Sequence, residues 1–350
     1  MQSHEEPGVF DFPDHEGGSV PSSIGGIGEP RPDSFGRLKG FYQGIVDNQR
    51  DLIEVVRQFW SGVGQLIDGG AHTRVQHRAI FDRVVLHQNS TDLLPCVEAV
   101  IPLDAGHLGR DPALVYLGAI TPSRSQNVDD LAVISENLAR ASRVAPRNPA
   151  DILERPRGRG YEISILSEED RQDEAVRDQI AGLYERFGWS SGEVGTMLQN
   201  PNNILCVAKR NGGIVSSGIG EMAVIPLDNT QFRIAELTEA ATLAEHESNG
   251  CYAAISTTIL SELARRSRAH EIFGGELDLV FGESNGLSGG VLSVAATQAR
   301  TFSTNVAGLY GFEGRGILRQ QVPISGPFRR TSYNDLVVTS LTRGNVYDMF

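Results

Sequence analysis

Cysteine and long apolar runs are scarce in this chain. Its three cysteines, Cys96, Cys206 and Cys251, lie far apart and form no CxxC pair of the spacing that metal sites use. We interpret them as buried reduced thiols and expect no metal. No stretch approaches the roughly 20 apolar residues that span a membrane, and the acidic N-terminus is unlike a secretion signal. These absences predict a cytoplasmic protein with no membrane partner.

Positive charge is also in short supply. Lys and Arg number 31 against 44 Asp and Glu, which gives a formal net charge of −13. A broad electrostatic contact with nucleic-acid phosphates is therefore not expected. The 350 residues are 40% apolar, and a chain of this length usually divides into more than one core. We therefore expect two domains.

The organisation of the first half follows from its periodicity. Residues 1–35 are rich in Gly, Pro, Ser and acidic residues, which predicts a disordered tail. Apolar residues at helical spacing over 38–67 predict one or two amphipathic helices. Short apolar runs then predict strands, and 131–141 returns to helix. The strand predictions cover 84–86, 96–101 and 113–120. Residues 36–145 thus form a predicted N-terminal α+β domain.

A stretch punctuated by proline and glycine, 146–160, predicts a linker before the second domain at 161–343. The second domain opens with a predicted strand, a helix that starts at the capping-box residue Ser167, and three antiparallel strands. A turn and a long helix from about 251 follow. The predicted fold class is α+β, with a mixed and mostly antiparallel sheet flanked by helices, preceded by a smaller α+β domain.

The turn at 245–250 contains a glycine and precedes the long helix. Free backbone N–H groups and the helix dipole make such a turn suitable for binding a pyrophosphate. Several stretches around it are similar to the Gcn5-related N-acetyltransferase superfamily, and most to β-lysine N-acetyltransferases. These stretches are AELTEAATLAE at 235–245, Asn249-Gly250, the segment from 299 to 312, and the segment from 316 to 326.

The resemblance implies acetyl-CoA, or another acyl-CoA, as co-substrate and a small-molecule amine as acceptor. It implies that the cofactor-binding residues are Thr242, Leu243, Ser248, Asn249, Gly250, Cys251, Tyr252 and Asn305. The turn departs from the family pattern, because Glu247 stands where a basic or neutral residue is usual. Tyr252 stands where glycine or alanine is usual. These departures leave open a non-catalytic acyl-CoA-binding protein.

The resemblance also places the catalytic groups. The family takes its general base from the central strand, so Glu236 and Glu239 are the candidates, and its acid from a tyrosine, here Tyr310. We assign Glu236 as base and Glu239 as the anchor for the acceptor ammonium or a second base. Residues three apart on a regular strand face opposite ways. The resemblance implies a bulge at this point of the strand, which would bring the two carboxylates closer.

The predicted function is N-acyl transfer from acyl-CoA to the amine of a small amino acid or a metabolite derived from one. An acyltransferase that takes its acyl group from an acyl-carrier protein remains a third alternative, which the acidic net charge disfavours because carrier proteins are themselves acidic. The sequence also leaves a homodimer open.

Overall fold

The computed structural model describes the chain in segments: 26–28, 30–32, 37–67, 74–89, 93, 96–103, 106–108, 111–120, 128–141, 143–145, 147–187, 189, 191–227, 229–285, 316–323 and 333–342. No described helix is long and apolar enough to cross a membrane. Predicted site residues Asn305 and Tyr310 lie outside these segments.

The described elements of the N-terminal half alternate between strands and helices. Its strands are β1 (Gly26–Ile27), β2 (Arg31–Pro32), β3 (Arg37–Val46), β4 (Arg74–Asp82), β5 (Val97–Pro102) and β6 (Pro112–Ile120). Its helices are α1 (Gln49–Ile67), α2 (Arg83–Gln88), α3 (Val128–Ala141) and a 3₁₀ turn at Gly106–Leu108. The predicted strands at 96–101 and 113–120 and the predicted helix at 131–141 are therefore confirmed.

The C-terminal half begins with a helix and continues as a meander. Its helices are α4 (Pro149–Arg157), α5 (Glu168–Gln172), α6 (Glu174–Glu185), α7 (Ser191–Gln199), α8 (Cys251–Arg268) and a 3₁₀ turn at Ala244–His246. Its strands are β7 (Glu162–Ile165), β8 (Asn203–Arg210), β9 (Gly213–Leu227), β10 (Thr230–Thr242), β11 (Leu279–Asn285), β12 (Gly316–Pro323) and β13 (Tyr333–Thr342).

The described strands form one hydrogen-bonded sheet in the order β1-β3-β4-β6-β5-β12-β13-β11-β10-β9-β8-β7, with β2 paired to β3. Three neighbouring pairs, β1–β3, β3–β4 and β10–β11, are parallel, and the other pairs are antiparallel. The halves join where Gly316 of β12 pairs with Ala99 of β5. The predicted fold class, α+β with a mostly antiparallel mixed sheet flanked by helices, is confirmed.

Local sequence explains several element boundaries. The side chain of Ser167 accepts from the backbone N–H of Asp170 in a capping box, which starts α5 as predicted. Asn211 and Gly212 both have positive φ, 51° and 79°, which suits the tight turn between β8 and β9. The side chain of Asn148 caps α4, and Pro149 occupies its first turn, where a missing N–H costs nothing.

Four sequence predictions are wrong in their secondary structure. Residues 37–46 form β3 rather than helix, because pairing with β4 and with β1 and β2 overrides the helical spacing of their apolar residues. Residues 84–86 lie in α2, which Asp82 caps through its side chain. Most of the predicted linker is α4. Within the predicted disordered tail, β1 and β2 pair with β3.

Helices cover the outer faces of the sheet. Helix α1 packs on the N-terminal strands over a cluster that includes Val55 and Phe59. Helix α8 packs on β8, β9 and β10 through a cluster that includes Ile255 and Leu263. Helices α6 and α7 instead pack on the inner face at the edge of the sheet, where they form a further cluster with β8 and β9. The rest of the inner faces of both halves therefore remains to pack against each other.

The inner faces of the halves share one apolar cluster. It contains Ile80 and Tyr116 from the N-terminal strands and Phe232 and Phe281 from the C-terminal strands. Burial of such a cluster is the dominant favourable term in domain packing. The two halves are thus held face to face, while their division into separate folding units near 146–160 stays a prediction.

Candidate active site between the two halves of the sheet

The inner face of the N-terminal strands changes from apolar to charged along its length. Side chains two residues apart on a strand share a face. On β4, Ile80 belongs to the shared apolar cluster, so Arg78, Gln76 and Arg74 follow it on the same face. All three are buried, at 1%, 0% and 0% exposure.

Strand β3 continues this charged surface. Its register places Lys39 beside Gln76 and Arg37 beside Arg74. Lys39 and Arg37 are 4% and 5% exposed. Buried cations are rare unless carboxylates or a ligand accompany them. The charged end of this face therefore requires an acidic counterpart.

The C-terminal strands supply that acidic counterpart, because their inner face also changes from apolar to charged along its length. On β10, Phe232 and Ile234 belong to the apolar cluster and Glu236 follows on the same face. Its cross-strand neighbour on β9 is Glu221, and Glu283 follows Phe281 on β11. Glu236 is 3% exposed, and Glu221 is 5% exposed. Because the inner faces of the two halves pack against each other, these carboxyl groups and the cations of β3 and β4 are enclosed together.

We define the polar compartment by the buried polar and charged residues of these two facing surfaces. Its members are Arg37, Lys39, Arg74, Gln76, Arg78, Tyr116, Glu98, Glu221, Glu236 and Glu283.

Two ion pairs organise the polar compartment. Arg78 Nη2 donates to Oε1 of Glu283 over 2.9 Å, and both side chains are nearly fully buried. The guanidinium of Arg78 also lies 4.8 Å from the centroid of the Tyr116 ring, a cation–π distance. Arg74 pairs with Glu98, whose carboxylate lies over Gly118. A Cβ at Gly118 would stand 2.2 Å from the Glu98 carboxyl carbon.

Glu236 has the properties of a general base. Burial, with the nearby negative charge of Glu283, raises the pKa of Glu236 to about 8, although Arg78 and Lys39 oppose the shift. Glu283 behaves in the opposite way, because Lys39, Arg78 and Arg37 outweigh its own burial and hold its pKa below the usual value. A base with a pKa near the operating pH combines a useful unprotonated fraction with a strong tendency to take a proton.

A bulge on β10 brings Glu239 to the same place. The β9–β10 register shifts between Thr238 and Ala241, and Glu239 has a φ of 49°. Its carbonyl accepts a hydrogen bond from the hydroxyl of Tyr184 over 2.5 Å. Burial and the charge of Glu221 raise the pKa of Glu239 to about 7, with Lys39 and Arg37 opposing. Glu236 and Glu239 therefore share two charged neighbours, Glu221 and Lys39.

Strands β10 and β11 separate immediately beyond Glu236. Their parallel pairing runs from Ile234–Leu279 to Leu237–Gly282. Beyond that point β10 continues to Thr242 and β11 to Asn285 without pairing to each other. Unpaired edges of two adjacent strands leave backbone N–H and C=O groups available for a ligand. The opening lies directly beside the polar compartment.

The far end of β10 leads into the glycine turn before α8. Gly250 is the N-cap, has a φ of 90°, and provides no side-chain cap. Neither Ser248 nor Asn249, which precede Gly250, caps the helix through its side chain. The first N–H groups of α8 are orphans that an anion can satisfy.

Two arginines, one in the last turn of α4 and one just after its end, supply the positive charge that this turn lacks. Arg155 Nη2 and Arg159 Nη1 donate to the carbonyl of Ser248 over 3.2 and 3.4 Å. Arg159 Nη1 also donates to Oδ1 of Asn249 over 2.8 Å. Glu245 and Glu247, the two acidic residues in the turn, are exposed to solvent. The sequence prediction missed this arginine pair, because it treated the segment as linker.

The remaining predicted cofactor residues lie along the same path. The hydroxyl of Thr242 is 2.7 Å from that of Ser216, and the backbone N–H of Leu243 donates to Val215. Cys251 is buried with 2% exposure. Burial raises the pKa of the Tyr252 hydroxyl to about 12. Because its side chain is buried, Cys251 contributes only its backbone to the turn.

The sequence prediction also missed the basic side of the polar compartment. The signal was available as two short alternations, Arg37-Leu38-Lys39 and Arg74-Val75-Gln76-His77-Arg78. Alternation of apolar residues with cations indicates a strand with one apolar and one charged face. Only the packing of the two halves shows that the charged face is buried.

Comparisons with known proteins find similarity of fold alone. No protein-family model matches the chain, and no curated protein matches it. Among solved structures, the ribosomal-protein-S18-alanine N-acetyltransferase from Escherichia coli matches with 15% identity, a TM-score of 0.35, 52% of this chain and 94% of that chain. An acetyltransferase of the GNAT family from Streptococcus pneumoniae matches with 13% identity, a TM-score of 0.35, and coverages of 52% and 99%. Arabidopsis thaliana NAA60 with acetyl-CoA matches with 7% identity, a TM-score of 0.36, and coverages of 52% and 98%.

Proposed function

We propose that this chain is an acyl-CoA-dependent N-acyltransferase of the Gcn5-related type that acylates the amine of a small amino acid or related metabolite. The observation that carries the proposal is the separation of β10 from β11 beside Glu236. Pairing ends at Leu237–Gly282, one residue beyond this buried carboxyl group. An opening at the middle of a sheet, next to a group with a pKa of about 8, suits proton transfer to a shielded base.

The residues around the opening fit an acyl-CoA. The orphan N–H groups at the start of α8, with Arg155 and Arg159 beside them, would hold its diphosphate. The unpaired edges of β10 and β11 would hold the extended pantetheine arm by backbone hydrogen bonds. Acyl-CoA supplies an activated thioester as acyl donor. The acyl-CoA would therefore lie with its diphosphate at the turn and its thioester at the polar compartment.

Glu236 acts on the acceptor amine. An amine attacks the thioester carbonyl through its lone pair, so it must lose a proton before or during attack. The Glu236 carboxylate accepts that proton, directly or through water. Glu239, on the bulge, faces the ammonium form and holds it by charge, because a desolvated cation requires a carboxylate partner. Tyr310 remains the proposed proton donor to the leaving thiolate.

The direct test is acetyl transfer by the purified chain. Acetyl-CoA binding stabilises the native state by mass action, so the melting temperature is expected to rise with acetyl-CoA. Incubation with acetyl-CoA and a panel of small amines is expected to release free CoA thiol. Binding of acetyl-CoA without thiol release for any amine would support a non-catalytic binding protein. Thiol release from acetylated carrier protein alone would support the carrier-protein alternative.

A further inference from the structure

The polar compartment contains buried hydrogen-bonding atoms that no described residue satisfies. These atoms are Nε and Nη1 of Arg74, Oε1 of Gln76, the hydroxyl of Tyr116 and Oε2 of Glu236. All four residues are at most 3% exposed. Buried polar atoms without a partner are costly and are normally paired with protein, water or ligand.

The unsatisfied atoms are of two kinds. Arg74 offers N–H donors only, whereas the free oxygen atoms of Gln76 and Glu236 accept hydrogen bonds. A molecule that satisfies both kinds must carry an acceptor group for Arg74 and a donor group for Glu236. An amine supplies the donor, and a carboxylate pairs with a guanidinium through strong, charge-assisted hydrogen bonds.

The surroundings of Arg74 favour an anion. Its register neighbour on β3 is Arg37, so two buried guanidinium-bearing residues lie side by side on the same face. Like charges directly opposite on neighbouring strands are destabilising. Glu98 pairs with Arg74 through Nη2 and leaves Nε and Nη1 available. A second anion between the two arginines offsets this repulsion.

We propose that Arg74 is a specificity-determining residue that binds a carboxylate of the acceptor, so that the enzyme acylates amines that also carry a free carboxylate. This inference rests on the proposed acyltransferase function and adds a role for the N-terminal half. On β4, Gln76 lies between Arg74 and Arg78, and its register neighbour on β3 is Lys39. Arg78 and Lys39 both act on the charge of Glu236. The spacing between Arg74 and Gln76 along β4 is about 7 Å.

The experiment compares acceptors that differ only in the carboxylate. L-lysine, L-ornithine and L-serine are each paired with their carboxamides, which keep the amines and lose the negative charge. For each acid that is acetylated, we expect kcat/KM about 10- to 100-fold above that of its amide, the usual effect of a charge-assisted hydrogen bond. Arg74→Lys keeps the pairing with Glu98 and removes the guanidinium donors. It is expected to raise KM for the acids about 10-fold and leave the amides unchanged.

Each other outcome contradicts a defined part of the inference. Equal use of acids and amides, or an equal loss for both in Arg74→Lys, would show that the unsatisfied atoms bind water and would overturn the specificity role. Acetyl-CoA binding with acetylation of amides alone, or of none of the six compounds, would overturn it as well. Absence of acetyl-CoA binding would instead refute the proposed function itself. Circular dichroism and the melting temperature establish that Arg74→Lys is folded.

Discussion

Arg78 on β4 and Glu283 on β11 form a buried ion pair of 2.9 Å between residues 205 apart in the sequence. The pair fixes the charge around Glu236, because both members act on the pKa of its carboxyl group in opposite directions. The charge around Glu236 on one half is thus adjusted by a residue on a strand of the other half.

Glu236→Gln keeps the shape of the side chain and removes the base. We expect turnover to fall by roughly 10²- to 10⁴-fold, the usual contribution of general-base catalysis, with little change in acetyl-CoA binding. Steady-state thiol release and calorimetric titration measure the two quantities. The matched control is Glu162→Gln on β7, which is exposed. Full activity of Glu236→Gln together with loss in Glu239→Gln would reverse the assignment of the two carboxylates.

The pH dependence of kcat/KM provides a separate test of the base. Glu236 accepts a proton only when deprotonated, so the rate is expected to rise with pH through about 8 and then level off. Glu283→Gln removes a neighbouring negative charge and is expected to move this inflection to lower pH. The inflection is expected to vanish in Glu236→Gln. Its persistence there at the same pH would assign it to another group.

The raised pKa of Glu236 also affects stability. The folded carboxyl binds its proton more tightly than the unfolded one, so its contribution to folding falls as pH rises from the usual value of 4.5 towards about 8. Glu236→Gln removes this loss of stability at high pH, because glutamine does not titrate. The melting temperature of the variant relative to the natural chain is therefore expected to increase between about pH 5 and pH 9. A difference that is constant across this range would contradict the raised pKa.

Arg155→Gln combined with Arg159→Gln tests the source of positive charge at the turn. We expect the Kd for acetyl-CoA to rise about 10-fold or more, since each charged hydrogen bond contributes about 1.5–3 kcal/mol. Acetyl-pantetheine lacks the diphosphate, and its binding is expected to change little. Arg265→Gln, near the other end of α8, serves as control. An equal loss for both donors would indicate a structural role for the pair.

Gly118 tests the packing of the polar compartment. A Cβ there collides with the Glu98 carboxylate that pairs with Arg74, so Gly118→Ala is expected to destabilise by about 1–3 kcal/mol, as overpacking does. Gly182→Ala on α6, where a Cβ meets no atom within 4 Å, is expected to stabilise by about 0.5–1 kcal/mol. Urea unfolding gives both values. A neutral Gly118→Ala would show that Glu98 can leave its position without cost.

The sequence predicts the C-terminal meander well because its signals are local. The capping box at Ser167 and the Asn211-Gly212 turn are set by neighbouring residues, and each is present in the structure. A bulge is also present on β10, between Thr238 and Ala241, where the resemblance implies one. Arg155, Arg159 and the basic face of β4 could not be placed in this way. Their partners are distant in the chain, and periodicity carries no information about which faces meet.

The separation in sequence between the members of the polar compartment has a consequence for biosynthesis. Synthesis on the ribosome starts at the N-terminus. Strands β3 and β4, with the cations that are buried in the folded protein, therefore emerge long before β10 and β11 have been made. Folding that depends on such distant contacts is slow, and incomplete chains of this kind expose surfaces that aggregate. A truncated product that ends before β9 would retain Arg74 and Arg78 without Glu283 and is expected to be held by chaperones or degraded. The polar compartment of this protein is therefore complete only once β9, β10 and β11 have folded against β3 and β4.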